Sequence, residues 1–156
     1  MPGSQIEIAV ENYVAVVTMN NPPVNAKGGQ FLNDMMSTMD EISDRDDIRV
    51  AVLTGARKCF SAGTVWKPRL SERPPLPGEE WEHNWHTREC FRAIVECRKS
   101  IIGAINFPVL GVGLAIAASY DILVASEDAS LGLPEINVGL LGGMPCGSSD
   151  FIKPGA

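Results

Sequence analysis

Three short apolar runs constrain this chain more than any other feature of its sequence. They are Ile48 to Thr54, which carries Val50, Val52 and Leu53 and stops at Gly55, then Ile101 to Ile105, and then Ile122 to Ala125. Runs of this length bounded by turn residues read as strands, and the first two read as strands buried on both faces. Helical patterns separate them, a long one from about Glu79 to Arg98 and a short one of small residues from Gly111 to Ser119. Ahead of them Phe31, Leu32, Met35, Met36, Met39 and Ile42 recur at three- and four-residue spacing. That is an amphipathic helix ending near Asp44, with its methionine stripe in the core. Parallel neighbours need a long crossover, so strand, helix, strand, helix, strand predicts α/β layering with parallel pairs. At the N-terminus Ile6, Ile8 and Val10 alternate with polar residues, Tyr13 to Met19 is β-rich, and Asn20-Asn21-Pro22-Pro23 follows. The pattern predicts a β-hairpin with a hard stop.

The chain has 156 residues, enough for one domain with a real core, and no internal repeat or clear boundary divides it. A formal net charge of -6 disfavours a nucleic-acid or anionic-membrane partner, and an anionic ligand would need a local basic patch. No apolar run approaches transmembrane length, and Met1 to Gln5 lacks the pattern of a signal peptide, so the expected address is cytoplasmic. Cys59, Cys90, Cys97 and Cys146 show no disulfide or metal spacing and read as reduced thiols, with Cys90 and Cys97 as small buried groups on one helix face. His83 and His86 lie beside Glu79, Glu80 and Glu82. A polar helix face explains them, spacing places no third ligand, and no metal is expected. The proline-rich stretch 71–80 is the segment expected to be mobile.

Two turns carry the candidate chemistry. Gly55 to Thr64 follows a strand, and Asn106 to Gly113 joins a strand to a helix start. Glycines let the backbone approach a ligand closely, and free N–H groups at a helix start favour negative charge. Two such N–H groups converging on one thioester oxygen would form an oxyanion hole; two ordinary tight connections are the alternative. Gly111-Val112-Gly113 is only a fragment of a dinucleotide fingerprint, with no third glycine and no acid at the ribose-binding distance.

Phe60-Ser61-Ala62-Gly63, Gly111-Val112-Gly113, Ala118-Ser119-Tyr120-Asp121-Ile122 and Leu133-Pro134-Glu135-Ile136-Asn137-Val138-Gly139 together resemble the crotonase (enoyl-CoA hydratase/isomerase) superfamily in order and spacing. Asn21-Pro22-Pro23-Val24-Asn25-Ala26 is similar to that family's Pro-x-x-Asn-Ala turn, so the resemblance covers most of residues 5–143. It implies a crotonase-like ββα spiral core over residues 1–143, lacking the C-terminal helical part, and a ligand of the acyl-CoA thioester class. By the same resemblance the oxyanion N–H groups belong to Thr64 and Val112, and Glu135 is the one acid/base. Ala26, Ala62, Gly63, Trp66, Lys67 and Gly111 then line the CoA or substrate site.

Hydratases of the family typically carry a second glutamate where Ala115 stands here, and an Asp often found after the first oxyanion position is Val65. A single-carboxylate mechanism follows, as in the family's isomerases and some of its hydratases. Glu135 could otherwise serve only the dipole of a first helical turn. Val112 stands where the family commonly has Gly, and its N–H survives if the local backbone suits a β-branched residue. Asp121 reads as structural. Trp66 either shapes an acyl pocket or packs on the core, and Lys67 either meets the CoA nucleotide or is solvated. No metal or redox cofactor is implied, coenzyme A being part of the substrate, and the family assembles as trimers or hexamers. The alternatives are a C–C bond hydrolase or decarboxylase on the same scaffold, and a non-catalytic CoA-binding or self-associating fragment.

Residues 144–156, Met144 to Ala156, have no helical period and read as a non-family tail. Read one base out of phase, the codons for Met144 to Asp150 permit an apolar-basic series like a helix start. A frameshift near Gly142–Gly143 is therefore expected.

Overall fold

The computed structural model describes residues 4–56, 58–64 and 79–138, and side chains throughout these except at 79–84, 136 and 138. The hairpin predicted at the N-terminus is formed by β1 (Ile6–Glu11) and β2 (Val14–Met19), antiparallel with Glu11 opposite Val14. Asn12 and Tyr13 make the two-residue turn, with φ of 51° and 67°. Two successive positive φ values match the right-handed twist of the strands, which is why Tyr13 belongs to the turn and not to the strand.

Helix α1 (Gly29–Asp44) buries Phe31, Leu32, Met35, Thr38, Met39 and Ile42 on one face, with Met36 packed at the margin. It leads to β3 (Val50–Gly55). Helix α2 (Glu79–Val95) crosses back against α1 to β4 (Ser100–Ile105), and β6 (Ile122–Ala125) completes a sheet in the order β1-β2-β3-β4-β6. From β2 onward every pairing is parallel, as the strand–helix alternation predicts. A second, two-stranded parallel sheet joins β5 (Val109–Leu110) to β7 (Leu131–Gly132). Between β5 and β6 runs the short helix α3 (Val112–Ala118), and a 3-10 helix spans Pro134–Val138.

The expectation that β3 and β4 are buried on both faces is corrected by the structure. Ala51, Leu53 and Gly55 in β3, and Ile101, Gly103 and Ile105 in β4, are buried, while the residues between them are half-exposed, apart from the exposed Ser100. Alternation of this kind means that one face is fully covered and the other only in part. The covered face carries Ala15, Ala51 and Ile101 in register, then Val17, Leu53 and Gly103. The other face presents the row Val16, Val52, Ile102 and Ile122 across four strands. Every residue of β6 is exposed.

Cys97 is also corrected, because α2 ends at Val95 and leaves it beyond the helix. Cys90 is buried within the helix, whereas the Cys97 thiol donates at 3.9 Å to the Met39 carbonyl and receives the Ser43 hydroxyl at 3.4 Å. Cys59, Cys90 and Cys97 are all free thiols. Among the described residues no helix is long and apolar enough to cross a membrane, and no group of three or more His, Cys, Asp or Glu could hold a metal.

Candidate active site

Strand β3 delivers the first candidate turn to the head of the second. The Phe60 and Ser61 N–H groups donate to the Pro108 carbonyl at 3.0 and 3.3 Å, and the Leu110 N–H donates to the Ser61 carbonyl at 2.8 Å. Ser61 and Val109 thus form a parallel bridge that locks the two turns side by side. From the other side the segment ahead of α1 is sewn on: Ala62 N–H donates to the Val24 carbonyl at 3.0 Å and Lys27 N–H to the Gly63 carbonyl at 2.7 Å. Ala26 and Ala62 therefore lie on adjoining strands of one backbone platform.

Gly63 has φ of 84°, a conformation costly for any side chain. A Cβ there would also come within 2.9 Å of the Leu110 carbonyl oxygen and 3.4 Å of the Val112 nitrogen. The two glycine-rich turns predicted from sequence do meet. The direction of their N–H groups follows from peptide planarity. Because the Gly63 carbonyl points at Lys27, the Thr64 N–H of the same peptide points the opposite way. Likewise the Gly111 carbonyl accepts from Leu114 and Ala115 inside α3, so the Val112 N–H points out of the helix start. Neither N–H donates to another described residue.

Val112 is compatible with this arrangement because it is already helical, as the first residue of α3. The unusual backbone falls on Gly111, at φ 57° and ψ -131°. The proviso attached to a β-branched residue at 112 is thereby met.

Glu135 reaches the same place from a third direction. Strand β7 pairs with β5, the Gly111 N–H donates to the Gly132 carbonyl at 2.9 Å, and the 3-10 helix then starts at Pro134. The carboxyl group lies against Gly111, with its Cδ 3.2 Å from where a Cβ would stand, and Oε2 is buried with no partner among the described residues. A buried carboxylate oxygen without a protein partner is one that a substrate or water can engage. Ala115, one turn into α3 and buried, brings no second carboxylate.

With this geometry in view, the comparisons are decisive. The family model described as enoyl-CoA hydratase/isomerase matches residues 9–152. The chain belongs to that family. The enoyl-CoA hydratase/isomerase match takes in part of the segment 144–156, which lies outside the described residues. The chain is 36% identical over 140 residues to a probable enoyl-CoA hydratase of Bacillus subtilis, covering 88% of this chain and 53% of the relative. It is 32% identical to a hexahydro-1H-indene-carboxyl-CoA hydrolase of Mycobacterium tuberculosis, covering 83% of this chain and 51% of the relative. The solved structure of Pseudomonas aeruginosa DspI superposes with a TM-score of 0.80 at 30% identity, covering 90% of this chain and 57% of that one. The chain therefore spans about half the length of the relatives it matches.

Of the residues singled out by sequence, Ala26, Ala62, Gly63, Thr64, Gly111, Val112 and Glu135 lie in or beside this cluster. Trp66 and Lys67, like the proline-rich loop, fall outside the described residues. Asp121 is structural: its Oδ2 accepts the Ile101 N–H at 2.7 Å, and its own N–H returns to the Ile101 carbonyl at 2.9 Å.

Three residues were given no role from the sequence, although Asn25 and Ser61 stand in the motifs that carry the resemblance. Asn25, at φ 50°, donates to the carbonyls of Ala56 and Cys59 at 3.2 and 2.9 Å and accepts from the Asn21 N–H at 2.8 Å. Asn tolerates that backbone region and satisfies nearby peptides, which gives the Asn of that motif a physical reason. Ser61 is fully buried and touches both turns. Lys27 is buried to 1% exposure, with its Nζ 3.8 Å from the centroid of the Phe31 ring and 3.3 Å from the Met19 sulfur. Desolvation lowers its pKa from 10.5 to about 7, against a smaller opposing effect of the Cys90 and Cys59 thiols. Burial likewise pushes Cys90 up to about 12, so this thiol is an inert core group.

Proposed function

We propose that this chain acts on an acyl-CoA thioester as a hydratase or isomerase, through an enolate held at Thr64 and Val112. The observation that carries the reading is the meeting of three elements: two outward N–H groups on adjoining turns, and the Glu135 carboxylate against Gly111. Donors of this kind, fixed before the reaction, stabilise charge as it develops on the thioester oxygen and need no reorganisation.

With one carboxylate, both reactions can be written in balance. In hydration Glu135 takes a proton from water as the oxygen bonds to Cβ, the electron pair moves to the thioester oxygen, and Glu135 returns a proton to Cα. In isomerisation Glu135 removes an α-proton from a 3-enoyl ester and delivers it to Cγ of the dienolate. Both steps use the side-chain inventory present, and neither requires a second acid at Ala115. Coenzyme A enters only as part of the substrate.

A second reaction on the same scaffold is favoured by one relative, whose name is that of a CoA-ester hydrolase. Addition of water to a β-keto carbon, with the Cα–Cβ bond breaking to leave the electron pair as an enolate on the thioester oxygen, would use the same oxyanion donors, and only products separate the two. A third reading, a self-associating and non-catalytic fragment, is favoured by the partly exposed apolar row Val16, Val52, Ile102 and Ile122.

The test is mass spectrometry of 2-enoyl- and 3-enoyl-CoA esters incubated with the protein in deuterium oxide, beside Glu135→Gln. Water addition or α-deuterium uptake that disappears in the variant is the expected result. No change in any ester would overturn the catalytic reading in favour of the fragment.

A further inference from the structure

Ser61 is a buried residue that touches both turns of the candidate oxyanion hole. Its hydroxyl donates to the Asn25 carbonyl at 2.9 Å and accepts the Gly63 N–H at 3.2 Å, so it fixes the Ala62–Gly63 peptide, one before the peptide that carries the Thr64 N–H. Its carbonyl accepts the Leu110 N–H at 2.8 Å, two residues ahead of Val112. On the far side it abuts α3: a Cβ on Gly113 would stand 2.6 Å from both Cβ and Oγ of Ser61. Real carbon contacts do not approach so closely, so α3 can sit where it does only because residue 113 is Gly and residue 61 is small. The side chain is fully buried, and the Asn25 that receives its proton is itself anchored to Ala56 and Cys59.

We infer that Ser61 is a positioning residue that sets the separation and direction of the Thr64 and Val112 N–H groups. It touches no reacting atom. It spaces one turn from the other through Gly113 and, by occupying the Gly63 N–H, leaves Thr64 as the donor that faces outward. The catalytic consequence rests on the acyl-thioester reading of the site, but the spacing role does not. Misplacing one of two converging donors by a fraction of an ångström is costly for the reaction and nearly silent for binding, because most of a CoA ester's contacts lie elsewhere.

The experiment has two layers. In unliganded, nitrogen-labelled protein the Gly63 amide should exchange with solvent at least about 10-fold more slowly than Thr64 and Val112, because of the three only Gly63 donates to another described residue. Equal exchange of Gly63 and Thr64 in the wild-type chain overturns the inference without any variant. Ser61→Ala keeps the Cβ that packs on Gly113 and removes only the hydroxyl. In it the amide resonances of Thr64 and Val112 should both move while those of α1 stay, and unmoved resonances in a folded variant overturn the inference.

The second layer uses a cinnamoyl-CoA thioester, whose absorption moves to the red when its carbonyl is polarised. Ser61→Ala should lose at least about half of the red shift and about 100-fold in kcat, with KM changed less than about three-fold. A full red shift in the variant overturns the catalytic consequence, since a merely stabilising residue would leave it intact. A wild-type chain that polarises no ester sinks the acyl-thioester reading alone, and the amide data still decide the role of Ser61.

Discussion

Glu135 packs its carboxylate against the bare Cα of Gly111, so closely that a methyl group there would come within 3.2 Å of the carboxyl carbon. The residue that opens α3 and the residue that would move the proton are therefore fitted to each other. Gly111 also holds φ at 57° with ψ at -131°, a region that only glycine occupies without strain. Gly111→Ala should cost about 1–3 kcal/mol of stability and displace Glu135. Urea unfolding would show the first. Turnover in the variant falling no further than stability explains would refute the second.

Lys27 gives the chain a pH signature. Its folded pKa of about 7 lies below its ordinary 10.5, so between those values the unfolded chain binds the extra proton. Stability therefore rises with pH across that window and is lost as pH falls towards 7. Lys27→Met, apolar and of similar length, should flatten the rise and be the more stable chain at pH 7. Urea midpoints at pH 7 and pH 9.5 for both proteins would test it. A wild-type midpoint that does not increase with pH would contradict the burial of an uncharged amine.

Asp121 should behave as a structural residue. Its carboxylate accepts the Ile101 N–H at the start of β4, and deleting it leaves that buried donor unpaired. Asp121→Ala is expected to lose about 1–3 kcal/mol of stability. The amide resonances of Thr64 and Val112 should stay in place, and their movement would show that β6 is coupled to the site.

The open sheet face should make the isolated chain associate. Ile122 and Val124 are 54% and 59% exposed, and β6 is an edge strand among the described residues. Edges and apolar rows of this kind pair with further copies unless charge blocks them. Sedimentation at increasing concentration should show growth in mass, and Val124→Lys should reduce it. Monomeric behaviour at high concentration would mean that other residues of the chain cover the face.

How far the sequence reached can be judged element by element. The methionine stripe of α1, the hairpin, and the parallel pairing of strands separated by helices follow from periods and lengths that are local properties of the chain, whereas the order β1-β2-β3-β4-β6 came from the structure. So does the presence of Gly63 and Gly111 in turns. Burial on one face was misjudged for β3 and β4, because an apolar strand looks the same in sequence whether or not a second layer covers it. Cys97 was misplaced because a helix end depends on capping and on what the next strand requires.

The sequence by itself determined the strand–helix alternation, the family likeness and the identities of the candidate donors and of Glu135. Only the tertiary structure decided that these groups meet. Thr64, Val112 and Glu135 are brought together by the Ser61–Val109 bridge and the β5–β7 pair, contacts between residues far apart along the chain. Buried Lys27 and the Ser61 clamp were invisible for the same reason. Periodicity records which way a side chain faces within its own element, while a packed site is made by neighbours that each element meets only on folding.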